Sequence, residues 1–149
     1  TVNAAGLAVV DLAKVVESST YLKQQNASLT QSVKPTSTKL EQLGKELESL
    51  QQKAQTDGQK MNQADIQKLT AQYQSKLSEF NSTQQGLQTK VQSSLQAMNT
   101  TFETRVKQAA EQLRKENNLD FILNKNSAIA SDAQYDLTDK MIQKVNAIK

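Results

Sequence analysis

The sequence predicts an α+β fold that is mostly α: a long antiparallel helical hairpin, a tentacle, on a small β-sheet body formed by the two chain ends. Three observations predict it. Apolar residues recur at steps of three and four through most of the chain; a turn dipeptide, Asp57-Gly58, interrupts that rhythm; and short runs of strand character lie at both ends. Composition agrees with this division. The 149 residues suffice for one domain, but 36% hydrophobic and 4% aromatic residues, with no Trp and a mean hydropathy of −0.65, are poor material for one large core. Only four Gly and one Pro occur, fewer than a disordered chain usually carries, which favours long helices.

The first element is "GLAVVDL" at 6–12, a β-branched run that reads as a short buried strand. Helical rhythm begins near Ala13. From Leu22 through Leu29, Val33, Leu40, Leu43, Leu47 and Leu50 to Ala54, with Asn26 and Thr36 filling two positions, the steps alternate four and three. That spacing of about 3.5 residues favours a left-handed wrap around a partner helix. Pro35, inside "SVKPTST", removes one backbone donor, but the seam keeps its phase across it. A kinked or weakened helix with Pro35 as a hinge is expected, the alternative being two helices with a short break. Residues 56–65 form the tip, with Asp65 placed to cap the returning helix ahead of Ile66.

The second arm runs from Ile66 through Leu69, Tyr73, Leu77, Phe80, Leu87, Val91, Leu95, Met98, Phe102, Val106 and Ala109 to Leu113, at about 3.6 residues per repeat. Arms of ~45–50 residues would reach ~65–75 Å. Gly44 and Gly86 lie inside them, as soft points, as places of close helix contact or as tolerated surface residues. The helix should end at "KENN", 115–118, where two asparagines suit a cap and turn. Next come a strand at 119–124, turn residues "NKNS", a weaker strand over Ala128, Ile129 and Ala130, and a last helix with Leu137, Met141, Val145 and Ile148 on one face, capped by Asp136. A hairpin returns its second end to its start, so residues 1–20 and 113–149 should form the body and 21–112 the arm. A three-stranded sheet under one short helix leaves edges and an apolar face uncovered, and should oligomerise.

Charge and chemistry narrow the function. Eighteen basic against fifteen acidic residues give +3, with a pI near 9.1, but the lysines are scattered among acids and aromatics are scarce, which argues against nucleic-acid binding. There is no Cys or His, no phosphate loop, no metal spacing and no run of ~18 apolar residues. No basic region precedes the opening apolar run, so no intact signal peptide is read, and a mature N-terminus would look the same. Carboxylate pairs such as Glu46 with Glu48, or Asp136 with Asp139, suit a solvated face and a helix start. No enzymatic activity and no cofactor are expected. What remains is the arm surface. Met61, Tyr73, Phe80, Met98 and Phe102 are candidates for a shallow apolar lining that touches unfolded partners, the competing role for each being hairpin core.

Strand, long helical hairpin, strand and capped helix form a layout that resembles the Skp/OmpH family of periplasmic chaperones. The specific residues are "LAVVDL" at 7–12 and "NNLDFILNKNSAIASDAQYDLTDKMIQKVN" at 117–146, the latter with its Asp-Leu-Thr before the last amphipathic helix; the arms are generic. The resemblance implies a homotrimer whose sheets join into a β-barrel body, with Leu7, Val9, Leu12, Phe121, Leu123 and Ile129 in it. It also implies an ATP-independent holdase for unfolded outer-membrane β-barrel proteins in the periplasm, the signal peptide having been removed. One departure stands out: family arms tend to be strongly basic, whereas residues 53–80 set Lys53, Lys60, Lys68 and Lys76 against Asp57, Asp65 and Glu79, four minus three or +1. Peripheral membrane or lipopolysaccharide contact is therefore expected to be weak, no such site is carried over, and client binding should depend only modestly on salt. The competing readings are a coiled-coil spacer without chaperone activity, which leaves the terminal strands unexplained, and a prefoldin-like cytosolic chaperone assembled from different subunits.

Overall fold

The computed structural model describes residues 6–149; residues 1–5, the start of the expected body segment 1–20, lie outside the described residues. Strand β1 (Leu7–Val10) leads into a short helix α1 (Leu12–Glu17) and a long helix α2 (Thr20–Asp57). A 3-10 turn (Gly58–Lys60) precedes the longest helix, α3 (Gln63–Glu116). Strand β2 (Phe121–Asn124), two further 3-10 turns (Lys125–Ser127 and Ala133–Tyr135) and helix α4 (Thr138–Ala147) complete the chain. It divides into two compact units, the first comprising the residues up to Ala27 with Gln96–Lys149, the second Ser28–Leu95.

In the first unit β1 and β2 pair in parallel, with Leu7 opposite Phe121 and Val9 opposite Leu123. Parallel strands need a long crossover, supplied here by the helices between them. The Gly6 carbonyl accepts from the amides of Asp120 (2.8 Å) and Phe121 (3.1 Å). A Cβ at Gly6 would sit 3.0 Å from the Asn118 carbonyl oxygen, so the close approach that starts the ladder favours glycine. Val10, Val15, Ala109, Leu113, Met141 and Val145 form the buried cluster, with Leu12, Phe102, Val106, Ile122, Leu137 and Ile142 packed on it. The core is therefore made from β1, α1, the late turns of α3 and α4.

The helix boundaries follow from local chemistry. Asp11 caps α1 by accepting from the Lys14 amide (3.3 Å). The continuous helix expected from Ala13 is interrupted at Ser18 and Ser19, because hydroxyls compete for backbone donors: the buried Ser19 Oγ accepts from the Leu22 amide (3.1 Å) and starts α2 afresh. At the end of α3, Asn118 takes φ 52°, the Leu119 amide donates to Arg114 O (2.9 Å) and the Asn118 amide to Lys115 O (3.3 Å). This is the left-handed cap that the two asparagines predict.

The weaker strand expected at 128–130 does not form. Ile129 there is fully exposed, and the neighbour of β1 opposite β2 is instead Asp136, bridged to Val9, with the Leu137 amide donating to Val9 O (2.9 Å). The 3-10 turn at Lys125–Ser127 closes locally, Ala128 N to Lys125 O at 3.1 Å, without folding the chain back on β2. An Ala-Ile-Ala segment brings little packing of its own.

The second unit contains the α2–α3 turn. Helix α2 runs through Pro35 without interruption, so the break offered as an alternative is absent, although proline leaves the Gln31 carbonyl without its helical donor. Nearby, the Thr38 hydroxyl donates to Lys34 O (3.1 Å). The cap of α3 is Asn62, whose Oδ1 accepts from the Asp65 amide (2.8 Å). Asp65, expected as the cap, sits three residues later, within the first turn, where its charge favours the helix start. A Cβ at Gly44 would lie 3.9 Å from the Phe80 ring, and at Gly86 it would meet nothing, so neither glycine marks a tight helix contact.

Candidate functional site

Among the described residues no group of three or more His, Cys, Asp or Glu could hold a metal ion, and no helix is long and apolar enough to cross a membrane. Of the carboxylates singled out from the sequence, Glu46 and Asp136 are engaged in contacts between elements. Glu46 pairs with Lys76 of α3; this contact holds its carboxyl below the usual range and raises the lysine. Asp136 accepts from the Thr138 hydroxyl and amide and from Lys125 Nζ (3.0 Å), and in that order of the side-chain partners they lower its carboxyl to about 2. The Thr138 hydroxyl in turn accepts from the Asp11 amide (2.9 Å), so one small network joins the end of β1 to the start of α4. The sequence marked Asp136 as the cap of the last helix; the cap position is instead Leu137, with Asp136 one residue before it accepting from the Thr138 amide (3.0 Å), and its partnership with Lys125, eleven residues earlier, and with β1 was not visible there.

The sheet has two unlike faces. Ala8, Val10 and Ile122 face the core. On the other face Leu7, Phe121 and Leu123 are exposed, Phe121 by 54%, while Val9, beside the Asp136 bridge, is buried. Of the residues that the resemblance places in the body, Leu7, Phe121, Leu123 and Ile129 lie open, Val9 is buried and Leu12 is partly buried against the core cluster. An apolar face beside unpaired strand edges is a surface that association would cover.

The arm candidates separate into two groups. Met98, buried, and Phe102, packed on the core cluster, lie in the first unit. Met61, Tyr73 and Phe80 are half-buried in the second. There only Leu43 and Leu69 are buried, and Leu29, Val33, Leu40, Leu47, Leu50, Leu77, Leu87 and Val91 are partly covered. At the turn, Leu50, Ala54, Met61, Ile66, Leu69 and Tyr73 line an apolar cleft of about 460 Å³. The Tyr73 hydroxyl is engaged by Gln51 Nε2 (2.9 Å). The sequence singled out only Met61 and Tyr73 of this set. The other signal was the convergence of the last seam positions of one helix and the first of the next on a single turn. Of the four arm lysines, Lys76 is paired with Glu46, whereas Lys53, Lys60 and Lys68 are exposed and make no ion pair among the described residues.

Comparison with known proteins agrees with this geometry. A family model described as outer membrane protein (OmpH-like) matches residues 6–145. A Skp-like protein of Pseudomonas aeruginosa is 23% identical over 143 residues, covering 96% of this chain and 85% of its own. A crystal structure of a Caulobacter crescentus protein assigned as an OmpH-like outer membrane chaperone superposes with a TM-score of 0.81 at 16% identity. The match covers 99% of this chain and 87% of that one, a likeness of fold. The chain belongs to the OmpH-like family.

Proposed function

We propose that this OmpH-like chain is an ATP-independent holdase that binds unfolded outer-membrane β-barrel proteins in the periplasm and keeps them from aggregating. The observation that carries the reading is the incomplete burial of the second unit. Two helices facing each other cover only part of their apolar stripe, and the remainder, with the cleft at the turn, offers many weak contacts. A client barrel before insertion presents alternating apolar side chains and unpaired strand edges, which such contacts hide without reading sequence. Release without nucleotide then follows as long as binding is weaker than the client's own folding. Met61, Tyr73 and Phe80 are the client-contacting residues in this scheme, with Met98 and Phe102 supporting the helix from the body side.

The same reading assigns the open sheet face to a homotrimer, in which Leu7, Phe121, Leu123 and Ile129 are covered by neighbouring copies. Its support is the exposure of these four side chains together with the free edge of β2. Lipopolysaccharide or membrane contact enters only as a weak attraction, since one of the four arm lysines is already paired.

The deciding experiment dilutes a urea-unfolded outer-membrane β-barrel protein into buffer with this protein and no nucleotide, and follows light scattering. Suppression that saturates near one trimer per client is the expected result. Aggregation that proceeds regardless would return the chain to the role of a coiled-coil spacer. Sedimentation of the parent and of Phe121→Asp then tests the assembly: a trimer that becomes monomer supports the sheet face, and an unchanged mass overturns it.

A further inference from the structure

The turn between α2 and α3 combines a mostly apolar cleft with three lysines that make no ion pair among the described residues. Its cleft is lined mainly by aliphatic side chains, the Met61 thioether and the Tyr73 ring, with Gln51 and Thr70 as its polar members. Both are engaged inside the unit: Gln51 Nε2 donates to the Tyr73 hydroxyl (2.9 Å) and the Thr70 hydroxyl to Ile66 O (2.9 Å). About 460 Å³ lies in the lower half of the range typical of small-ligand pockets, ~300–1,000 Å³. That is room for one large side chain with its adjoining backbone, and too little for a docked helix.

Charge around the turn points in a second, independent direction. Further along the second unit Lys39 pairs with Glu79 (3.3 Å), Lys45 with Glu41 (3.6 Å) and Lys76 with Glu46, while Lys34 and Lys90 make no ion pair among the described residues. Near the cleft, Lys53 and Lys60 flank lining residues and Lys68 borders the adjoining groove, none of them in an ion pair among the described residues. Asp57 and Asp65 offset two of these three charges, leaving one net cation. An occupant that meets this turn well has an uncharged, polarizable side chain to bury and an acidic neighbour to leave at the rim.

We infer that the cleft is an anchoring subsite for a single aromatic side chain of an extended, unfolded segment whose flanking residues carry carboxylates. The inference rests on the holdase reading and makes it more specific. Aromatic rings gain edge and sulfur contacts with Tyr73 and Met61 that aliphatic chains lack. Transmembrane β-strands carry aromatic girdles near both ends, so each unfolded client offers many such anchors. One anchored ring surrounded by weaker contacts gives hold without a fixed sequence.

The absence of Trp from this protein provides the assay. A short Ser/Gly peptide containing Asp-Trp-Asp is titrated with the full chain, and the indole emission is followed. A saturable blue shift is expected, lost when Trp is replaced by Ala as read by competition, and weakened at least about tenfold in Ala54→Phe, which fills the cleft. In the triple Lys53→Gln, Lys60→Gln, Lys68→Gln variant the affinity falls about threefold, and most of its salt dependence disappears. No shift for the parent, or an equal shift in Ala54→Phe with helicity retained, overturns the subsite. Client light scattering on the same samples separates the two levels. A parent that suppresses aggregation while ignoring the peptide refutes the cleft alone, and a parent that fails to suppress aggregation refutes the holdase reading whatever the peptide does.

Discussion

The two units handle the same kind of apolar residue in opposite ways. In the first, Val10, Val15, Leu113, Met141 and Val145 come from β1, α1, α3 and α4 and are each no more than 2% exposed. In the second, Leu43 and Leu69 are the buried hydrophobic residues, most of the other large ones are half-covered, and Ile66 and Leu95 are exposed. Order in the first unit therefore depends on contacts between distant parts of the chain, and in the second on helix propagation supported by a narrow stripe. The difference places stability and adaptable surface in separate parts of one chain, a division that suits the holdase proposed above.

The largest expected effect tests that contrast directly. Leu113→Ala should cost ~3–5 kcal/mol, because the hole it leaves is walled by several elements, whereas Leu40→Ala in the second unit should cost about 1 kcal/mol or less, since its side chain is partly in water already. Urea unfolding of both variants measures this, and equal losses would remove the distinction between the units. Phe121→Asp should act on assembly and leave the fold of the single chain in place.

A smaller effect concerns the joint between β1 and α4. The folded carboxyl of Asp136 lies at about 2, below its ordinary value of 3.8, so its contribution is present above that ordinary value and is lost as pH falls through about 2. Asp136→Asn should lower stability by ~1–2 kcal/mol at neutral pH, and the difference from the parent should close on acidification across that window. A difference that persists unchanged at pH 2 would move the effect from charge to packing. Smallest of all, Gly86→Ala should raise the stability of the second unit by ~0.5–1 kcal/mol, as the added methyl meets no neighbour. For Pro35, the hinge proposal predicts that Pro35→Ala narrows the distribution of distances between labels at residues 35 ± one or two turns. An unchanged distribution would make the proline incidental.

Much of this architecture was legible because it rests on local rules. The two long helices are written in the spacing of Leu22 to Ala54 and Ile66 to Leu113, the tip in Asp57-Gly58, and the end of α3 in Asn117-Asn118. The misses are equally local in appearance but tertiary in cause. Ser18-Ser19 continues a helical pattern on paper, yet there the Asn146 side chain donates to Ser18 O (3.1 Å) and accepts from the Thr20 amide (3.1 Å), stabilising a break more than a hundred residues away. Ala128-Ile129-Ala130 has strand composition, but the chain leaves the 3-10 turn at Lys125–Ser127 without turning back along β2, and Ile129 stays exposed. In the same way the apolar lining at the turn was spread over two seams whose ends had no visible reason to be counted together.

By itself, the sequence determined helix periodicity, the asparagine cap that ends α3 and the turn at Asp57-Gly58, because each is decided within a few residues by backbone donors, acceptors and side-chain spacing. It also placed Leu7, Phe121 and Leu123 in short apolar runs at the two chain ends. Only the tertiary structure decided that β1 and β2 run parallel, that Val9 is covered while Phe121 opposite Leu7 is open, and that Asp136 holds β1 to α4. Those outcomes depend on which backbone edge and which side chain arrive first in space at a shared neighbour, and that competition is between residues far apart in the chain.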